Sequence, residues 1–361
     1  MKKIPRENQL KTARQDFKQW RRKLGRKRKY SAPSFVPRQQ IKIVPPSVFS
    51  LTKNYLGTMK CLISLKEATA ATTSGRKKQR VFLDFEKIEE LSLAAALVLA
   101  AELDRWRKLH GIKLYPRNLK GWNSEVKLML SELGFFDLLG GNVNAGSSSV
   151  SEINDVSVLQ MTSSNLLDTR KIATIKTHLV KVAKILGQDP LIYGAMTEAA
   201  YNSILHAYPD NHNYQYRPLR NMWWATASWS IRGSEVRFLV YDQGVGIAET
   251  LPAWDHWEKI REFLSSFANP LSTLLKEHSN MIEAAVEVSR TSLTSGHGQG
   301  LCDILSPIDT LQAGSLRILS GKGQILYEYG KGIKKTENLE HLGGTLIEWR
   351  IPVGNSEPTY E

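Results

Sequence analysis

Apolar and polar positions follow two rhythms along this chain, a period near two and a period near three and a half, and each predicts its own kind of element. Val81-Phe-Leu-Asp-Phe85, after the basic turn Ser74-Gly-Arg-Lys-Lys78, reads as a buried strand. Ser92 is the expected N-cap of a helix from Leu93 to Leu109, with an Ala and Leu face and a polar end at Glu102, Asp104, Arg105 and Arg107. Ile112 to Tyr115 predicts a short strand and Ser124 to Leu133 a second amphipathic helix, so strands alternate with helices as in an α/β unit. Further along, Ile172, Ile175, Leu179, Val182 and Ile185 share one face of a helix from Arg170 to Leu186, which Gly187 ends. Leu191 to Ala207 predicts another helix. Asn221 to Ile231 and Glu235 to Tyr241 predict strands joined at Gly233-Ser234. Residues 251 to 295 read as helical, a short helix follows Gly300, a hairpin surrounds Gly321-Lys-Gly323, and Gly343 to Ile351 ends in a last strand.

A chain of 361 residues has room for two domains. Pro33, Pro37, Pro45 and Pro46 mark residues 31 to 50 as an extended connector, and Gly140-Gly141 with Gly146-Ser-Ser-Ser149 marks an internal linker. The expected division is a flexible arm over 1–45, a small α/β domain over 46–140, a linker over 141–165 and a larger domain over 166–355. The expected fold class is α/β (α+β).

The net charge of +14 changes meaning once it is located. Residues 1 to 42 hold 15 Lys or Arg against Glu7 and Asp16, which leaves the remainder nearly neutral, with 34 basic and 33 acidic residues. Such an arm suits phosphate polymers through counterion release, which makes nucleic acid the favoured partner. An acidic protein, a membrane surface or a merely solvated tail are the competing accounts. Cys61 and Cys302 are far apart and have no metal-ligand spacing, so neither a disulfide framework nor a zinc site is indicated. No run of about 20 apolar residues and no signal-peptide pattern occurs, so the expectation is a soluble cytoplasmic protein without a membrane span.

Three short motifs carry the candidate chemistry: Glu198-Ala-Ala-Tyr-Asn202 on a helix, Asp242-Gln-Gly244-Val-Gly246 after a strand, and Gly296-His-Gly298-Gln-Gly300-Leu301 opening a helix. Glu198 and Asn202, four apart, share one helix face. A carboxylate there can orient and deprotonate a water or a substrate hydroxyl. An acceptor-only carboxylate at a strand end can take a hydrogen bond from the exocyclic amine of adenine, which makes Asp242 the candidate base reader. Gly244 and Gly246 permit close backbone approach. Gly296, Gly298 and Gly300 turn backbone N–H groups, with a helix N-terminus, towards phosphate, and His297 and Gln299 are candidate phosphate contacts or loop lining. No Walker-type loop is present, and no strand and ribose-binding acid accompany the glycines as a dinucleotide site requires.

In this order and spacing the motifs resemble the GHKL superfamily of gyrase, Hsp90, MutL and histidine kinases. The resemblance covers about 190 residues and implies a two-layer α/β sandwich of the Bergerat type, ATP and Mg²⁺ as ligands, Asn202 as the metal ligand, Thr345 in the floor of the adenine pocket, and a lid over 247–295. Residues 46–140, including the step Phe82-Leu-Asp-Phe-Glu-Lys-Ile-Glu-Glu-Leu-Ser-Leu-Ala-Ala-Ala-Leu97, resemble a STAS domain, which implies a protein partner and brings Ser92 near the position of that family's phosphoserine; a helix cap is the simpler account of it. An ATPase switch, with a homodimer as one form of it, is the first expected function. A serine/threonine kinase acting on a STAS domain is the second, and a non-hydrolysing ATP-dependent module the third. A histidine kinase fits poorly, because His178 is followed by Leu-Val-Lys.

Overall fold

The helix from Leu93 to His110 shows why the chain folds as it does. Every residue from Leu93 to Trp106 is buried, so the helix is enclosed on all sides and its ends are set by local chemistry. The Ser92 hydroxyl accepts from the Ala95 N–H at 3.3 Å, and Gly111, at φ 64°, lets its own N–H reach the Arg107 carbonyl at 2.8 Å. Arg107, Lys108 and His110 in the last turn favour the negative end of the helix dipole.

The computed structural model describes residues 40–74, 80–111, 114–140, 156–180, 190–230, 233–291 and 300–353. In chain order these form β1 (Gln40–Ile43), β2 (Val48–Phe49), α1 (Tyr55–Ser74), β3 (Arg80–Asp84), β4 (Glu90–Leu91), α2 (Leu93–His110), β5 (Tyr115–Arg117), α3 (Ser124–Glu132), β6 (Val156–Val158), β7 (Thr162–Ser164), α4 (Thr169–Val180), α5 (Pro190–Leu205), β8 (Trp223–Ser230) and β9 (Glu235–Asp242). They continue as α6 (Ile247–Thr250), α7 (Trp257–Ser265), α8 (Leu271–Leu274), α9 (His278–Thr291), α10 (Gly300–Leu311), β10 (Ser315–Ser320), β11 (Gly323–Glu328), β12 (Gly332–Glu337) and β13 (Thr345–Pro352). The architecture is mixed α and β. Among the described residues no helix is long and apolar enough to cross a membrane.

The large sheet runs β12-β11-β10-β13-β9-β8-β6, with β7 also on β8, and every pair in it is antiparallel. Strict alternation gives it two apolar faces. Trp223, Ala225, Val240, Ile318, Ile347 and Trp349 face a core shared with α4, α5, α9 and α10. Trp224, Leu239, Tyr241, Leu319 and Leu346 face the opposite way, into a core shared with α1, α2 and the strands of the N-terminal half. Those strands form a parallel three-stranded sheet, β1-β3-β5, and a parallel pair, β2-β4.

Three expectations change. Gln40–Ile43, counted with the arm, is a strand paired in register with β3. Part of the expected linker, residues 156 to 164, adds β6 and β7 to the large sheet against β8. Glu102, Asp104 and Arg105, expected as the polar end of an amphipathic helix, are buried, because that end meets the large sheet and not solvent. The Trp224 indole N–H donates to Asp104 at 2.9 Å, Arg105 is paired with Glu102 and donates to the Arg217 carbonyl at 2.8 Å, and the Gln243 amide donates to Glu102 at 3.3 Å.

Candidate functional site

Asp242 stands at the C-terminal end of β9 and is 4% exposed. Strand register puts it between Trp223 and Thr345, with Ser320 beyond Thr345, so one row of side chains crosses four strands on the side of the large sheet that faces α5. Its Oδ1 accepts from the Gly244 N–H at 2.8 Å and the Thr345 N–H at 3.3 Å. Among the described residues the one hydrogen-bond partner of Oδ2 is the Ser203 hydroxyl at 3.2 Å, which also lies 3.0 Å from the Ala199 carbonyl. One hydroxyl proton is thereby divided between two acceptors, and Oδ2 keeps capacity for another donor. Burial pushes the Asp242 carboxyl up to about 6, against the opposing pull of its three hydrogen bonds.

The glycines of the second motif have specific steric reasons. A β-carbon on Gly244 would stand 2.2 Å from the Ala207 carbonyl oxygen, just past the end of α5, and that carbonyl accepts from the Val245 N–H at 2.9 Å. Gly246 has φ 94°, and a β-carbon there would approach the Gly321 nitrogen and Ser320 Oγ to 3.1 Å. Both glycines thus admit neighbouring backbone and side chains of the protein itself. Ser320 Oγ also accepts from the Ile247 N–H at 2.7 Å and lies 2.8 Å from Thr345 Oγ1, which ties the floor of the site to the first residue of the helical insertion.

That insertion, α6 to α9, occupies the stretch expected as a lid. Leu251, Ile260, Leu264, Leu274, Met281 and Val288 give it a small core of its own.

Gly300, the last glycine of the third motif, meets the first motif. A β-carbon on Gly300 would lie 2.4 Å from Glu198 Oε1 and 3.2 Å from Asn202 Nδ2, so the N-terminus of α10 abuts both side chains. Burial, and then the nearby Asp303, push the Glu198 carboxyl up. A carboxylate shifted this way is better matched to accepting a proton near neutral pH. Leu301 is half-buried and packs on both the helix-layer core and the insertion core. Gly296, His297, Gly298 and Gln299 lie outside the described residues.

Glu198, Asn202 and Gly300 form one group, and Asp242, Gly244, Gly246 and Thr345 another, with α5 common to both through Asn202 and Ser203. Sequence reasoning missed Ser203 and Ser320. Ser203 adjoins Asn202 on the motif helix, and Ser320 immediately precedes the Gly321-Lys-Gly323 hairpin, so in each case adjacency to a noted feature was the available signal. It also missed Gln243, whose N–H donates to the Tyr208 hydroxyl at 2.9 Å and whose Oε1 is buried without a partner among the described residues.

No protein-family model, curated protein or solved structure matches this chain.

Proposed function

We propose that the chain from β6 to β13 binds ATP in the manner of a GHKL domain and works as an ATP-driven conformational switch, with water as the phosphoryl acceptor. The observation that carries this is the Asp242 carboxylate, buried at a strand end with one oxygen fully engaged by backbone N–H groups and the other left with acceptor capacity. An adenine exocyclic amine supplies the missing donor; guanine has a carbonyl at that position and would oppose it. The meeting of Gly300 with Glu198 and Asn202 supports a phosphate end to the same site, because a helix N-terminus and closely approached backbone favour anions.

In this proposal Asn202 contributes a neutral oxygen to Mg²⁺, a metal that prefers oxygen ligands and keeps waters and phosphates in its shell. Bound Mg²⁺ would neutralise charge on the phosphates. Glu198 orients the attacking water and accepts its proton, while the α6 to α9 insertion, joined to the floor of the site through Ile247 and Ser320, carries the conformational response. The basic N-terminal arm would add association with nucleic acid, and a second copy of the chain or another protein remains open as a further partner. Phosphoryl transfer to Ser92 has no comparable support, since that hydroxyl is engaged as the cap of α2.

The test is phosphate release from γ-labelled ATP with Mg²⁺. Wild-type protein is expected to release free phosphate, and Glu198→Gln to bind ATP with similar affinity while turnover falls about 10²- to 10⁴-fold, the usual worth of a positioned general base. Label retained on the wild-type protein would reject hydrolysis in favour of a kinase, and undiminished turnover in the variant would remove Glu198 from the reaction.

A further inference from the structure

Among the described residues the parallel sheet β1-β3-β5 is covered on one face only. Ile43, Val81 and Leu83 point into the core beside α1, whereas Lys42, Val44, Tyr115 and Arg117 are exposed on the other side, with Phe82 and Asp84 between them. Purely parallel sheets are ordinarily buried on both faces, so an open face on one calls for an occupant.

Its chemistry is specific. Register puts Lys42, Phe82 and Tyr115 in one row across the three strands, and Asp84 and Arg117 side by side in the next. Tyr115 is 49% exposed. The Arg117 guanidinium carbon lies 4.5 Å from the centre of the Phe82 ring, and the same group donates to the Gln40 side chain at 2.7 Å, which holds it against the sheet. Asp84, the buried acid of this face, is neutralised by Lys42 at 2.6 Å and also accepts from the Asn118 amide at 3.0 Å. Lys120 is exposed just beyond β5.

The exposed Tyr115 ring offers a stacking surface for a base, and Arg117, seated on the Phe82 ring of the neighbouring strand, offers a positioned cation for a phosphate. Bases inside a duplex are already stacked and cannot use such rings; unpaired bases can. The length of chain outside the described structure points the same way. Residues 1 to 39 hold 14 Lys or Arg against two acids, and they immediately precede Gln40, the residue on this face that positions Arg117. The basic segment is thus joined covalently to the strand that carries Gln40 and Lys42.

We propose that the open face of β1-β3-β5 is a binding site for single-stranded nucleic acid, in which Tyr115 stacks on a base, Phe82 positions the Arg117 guanidinium, and Arg117 and Lys120 take phosphates. This site is separate from Asp242 and does not depend on ATP binding.

The experiment is fluorescence anisotropy of the full-length protein with a labelled oligothymidylate, an oligouridylate and a duplex of equal length, over a range of salt concentrations. Single strands are expected to bind more tightly than duplex, and the two oligonucleotides separate a DNA from an RNA ligand. Tyr115→Ala, at an already exposed position, should weaken single-strand binding about tenfold, the order of one base stacked on one ring, with the salt slope unchanged. Phe82→Leu should act in the same direction, with thermal unfolding confirming that the sheet is intact. Arg117→Gln should instead reduce the steepness of log K against log salt by about 0.7, the share of one phosphate contact on a single strand. Removal of residues 2 to 38 should weaken single strand and duplex alike. Wild-type affinity in both aromatic variants, equal binding of duplex, or full displacement of the oligonucleotides by polyglutamate at matched charge would each overturn the proposal, the last in favour of an acidic protein.

Discussion

Asp242→Asn is expected to abolish ATP binding while making the unliganded protein more stable at pH 8. The two halves of that result have one cause. Burial raises the Asp242 carboxyl from its ordinary value near 4 to about 6, so the folded state binds this proton more tightly than the unfolded state does. Stability from this group is therefore present at low pH and is lost as pH rises from about 4 to 6, reaching a cost on the order of 3 kcal/mol above that window. An amide carries no such cost, and the site can accommodate it. Its oxygen replaces Oδ1 in accepting from Gly244 and Thr345, and its nitrogen faces Ser203, whose oxygen can accept. That arrangement leaves an N–H where the adenine amine also brings an N–H, and turning the amide over would strand the two backbone donors. Thermal unfolding of the variant should shift upward at pH 8 and lose most of its difference from wild type at pH 4, while calorimetric titration should show no ATP binding. Wild-type ATP affinity in the variant would end the assignment of Asp242 to adenine. In the wild type, ATP affinity should also weaken as pH falls below 6, where the carboxyl becomes protonated.

Glu102→Ala should cost about 3 to 5 kcal/mol, as loss of one partner of a buried ion pair does. Glu102 is 1% exposed and receives the Arg105 guanidinium from one side and the Gln243 amide from the other. Without it, Arg105 retains the Arg217 carbonyl as its remaining acceptor among the described residues, and a buried guanidinium is left uncompensated. Replacing both partners, Glu102→Leu with Arg105→Met, should restore most of the loss, because the destabilisation comes from the orphaned charge and not from missing attraction. Urea unfolding of the three variants measures this; a single-variant loss below about 1 kcal/mol would mean that the pair is effectively solvated.

The elements legible in the sequence are those whose periodicity and end signals agree. Leu93–His110 has a serine cap, an apolar body and a closing glycine, and Trp223–Ser230 with Glu235–Asp242 reads as a strand pair. Tyr55–Ser74 escaped notice because Gly57 and several threonines dilute its apolar stripe, though Met59, Leu62, Leu65 and Ala68 recur every third residue on its buried side. Gly332–Glu337 carries no apolar alternation at all; it is an edge strand held by backbone hydrogen bonds and by Lys335 and Glu337, which reach α9, while the exposed Lys334 suits an unpaired edge. At the candidate site, the residues whose chemistry faces a small molecule stood out as motifs. Ser203, Ser320 and Gln243 did not, because what they do depends on which strand or helix lies opposite, and that is decided only when distant segments pack.

Asp242 and Gln243 are consecutive, and the pleat of β9 sends the first towards α5 and the second into the N-terminal layer. The consequence is practical and bears on how the protein can be dissected. A fragment starting at β6 would retain each motif residue yet lay bare Trp224, Leu239, Tyr241, Leu319, Leu342 and Leu346 on the back of its sheet. Such a fragment should precipitate on expression, and grafting the nucleotide half onto a foreign N-terminus should fail unless residues 40 to 140 travel with it.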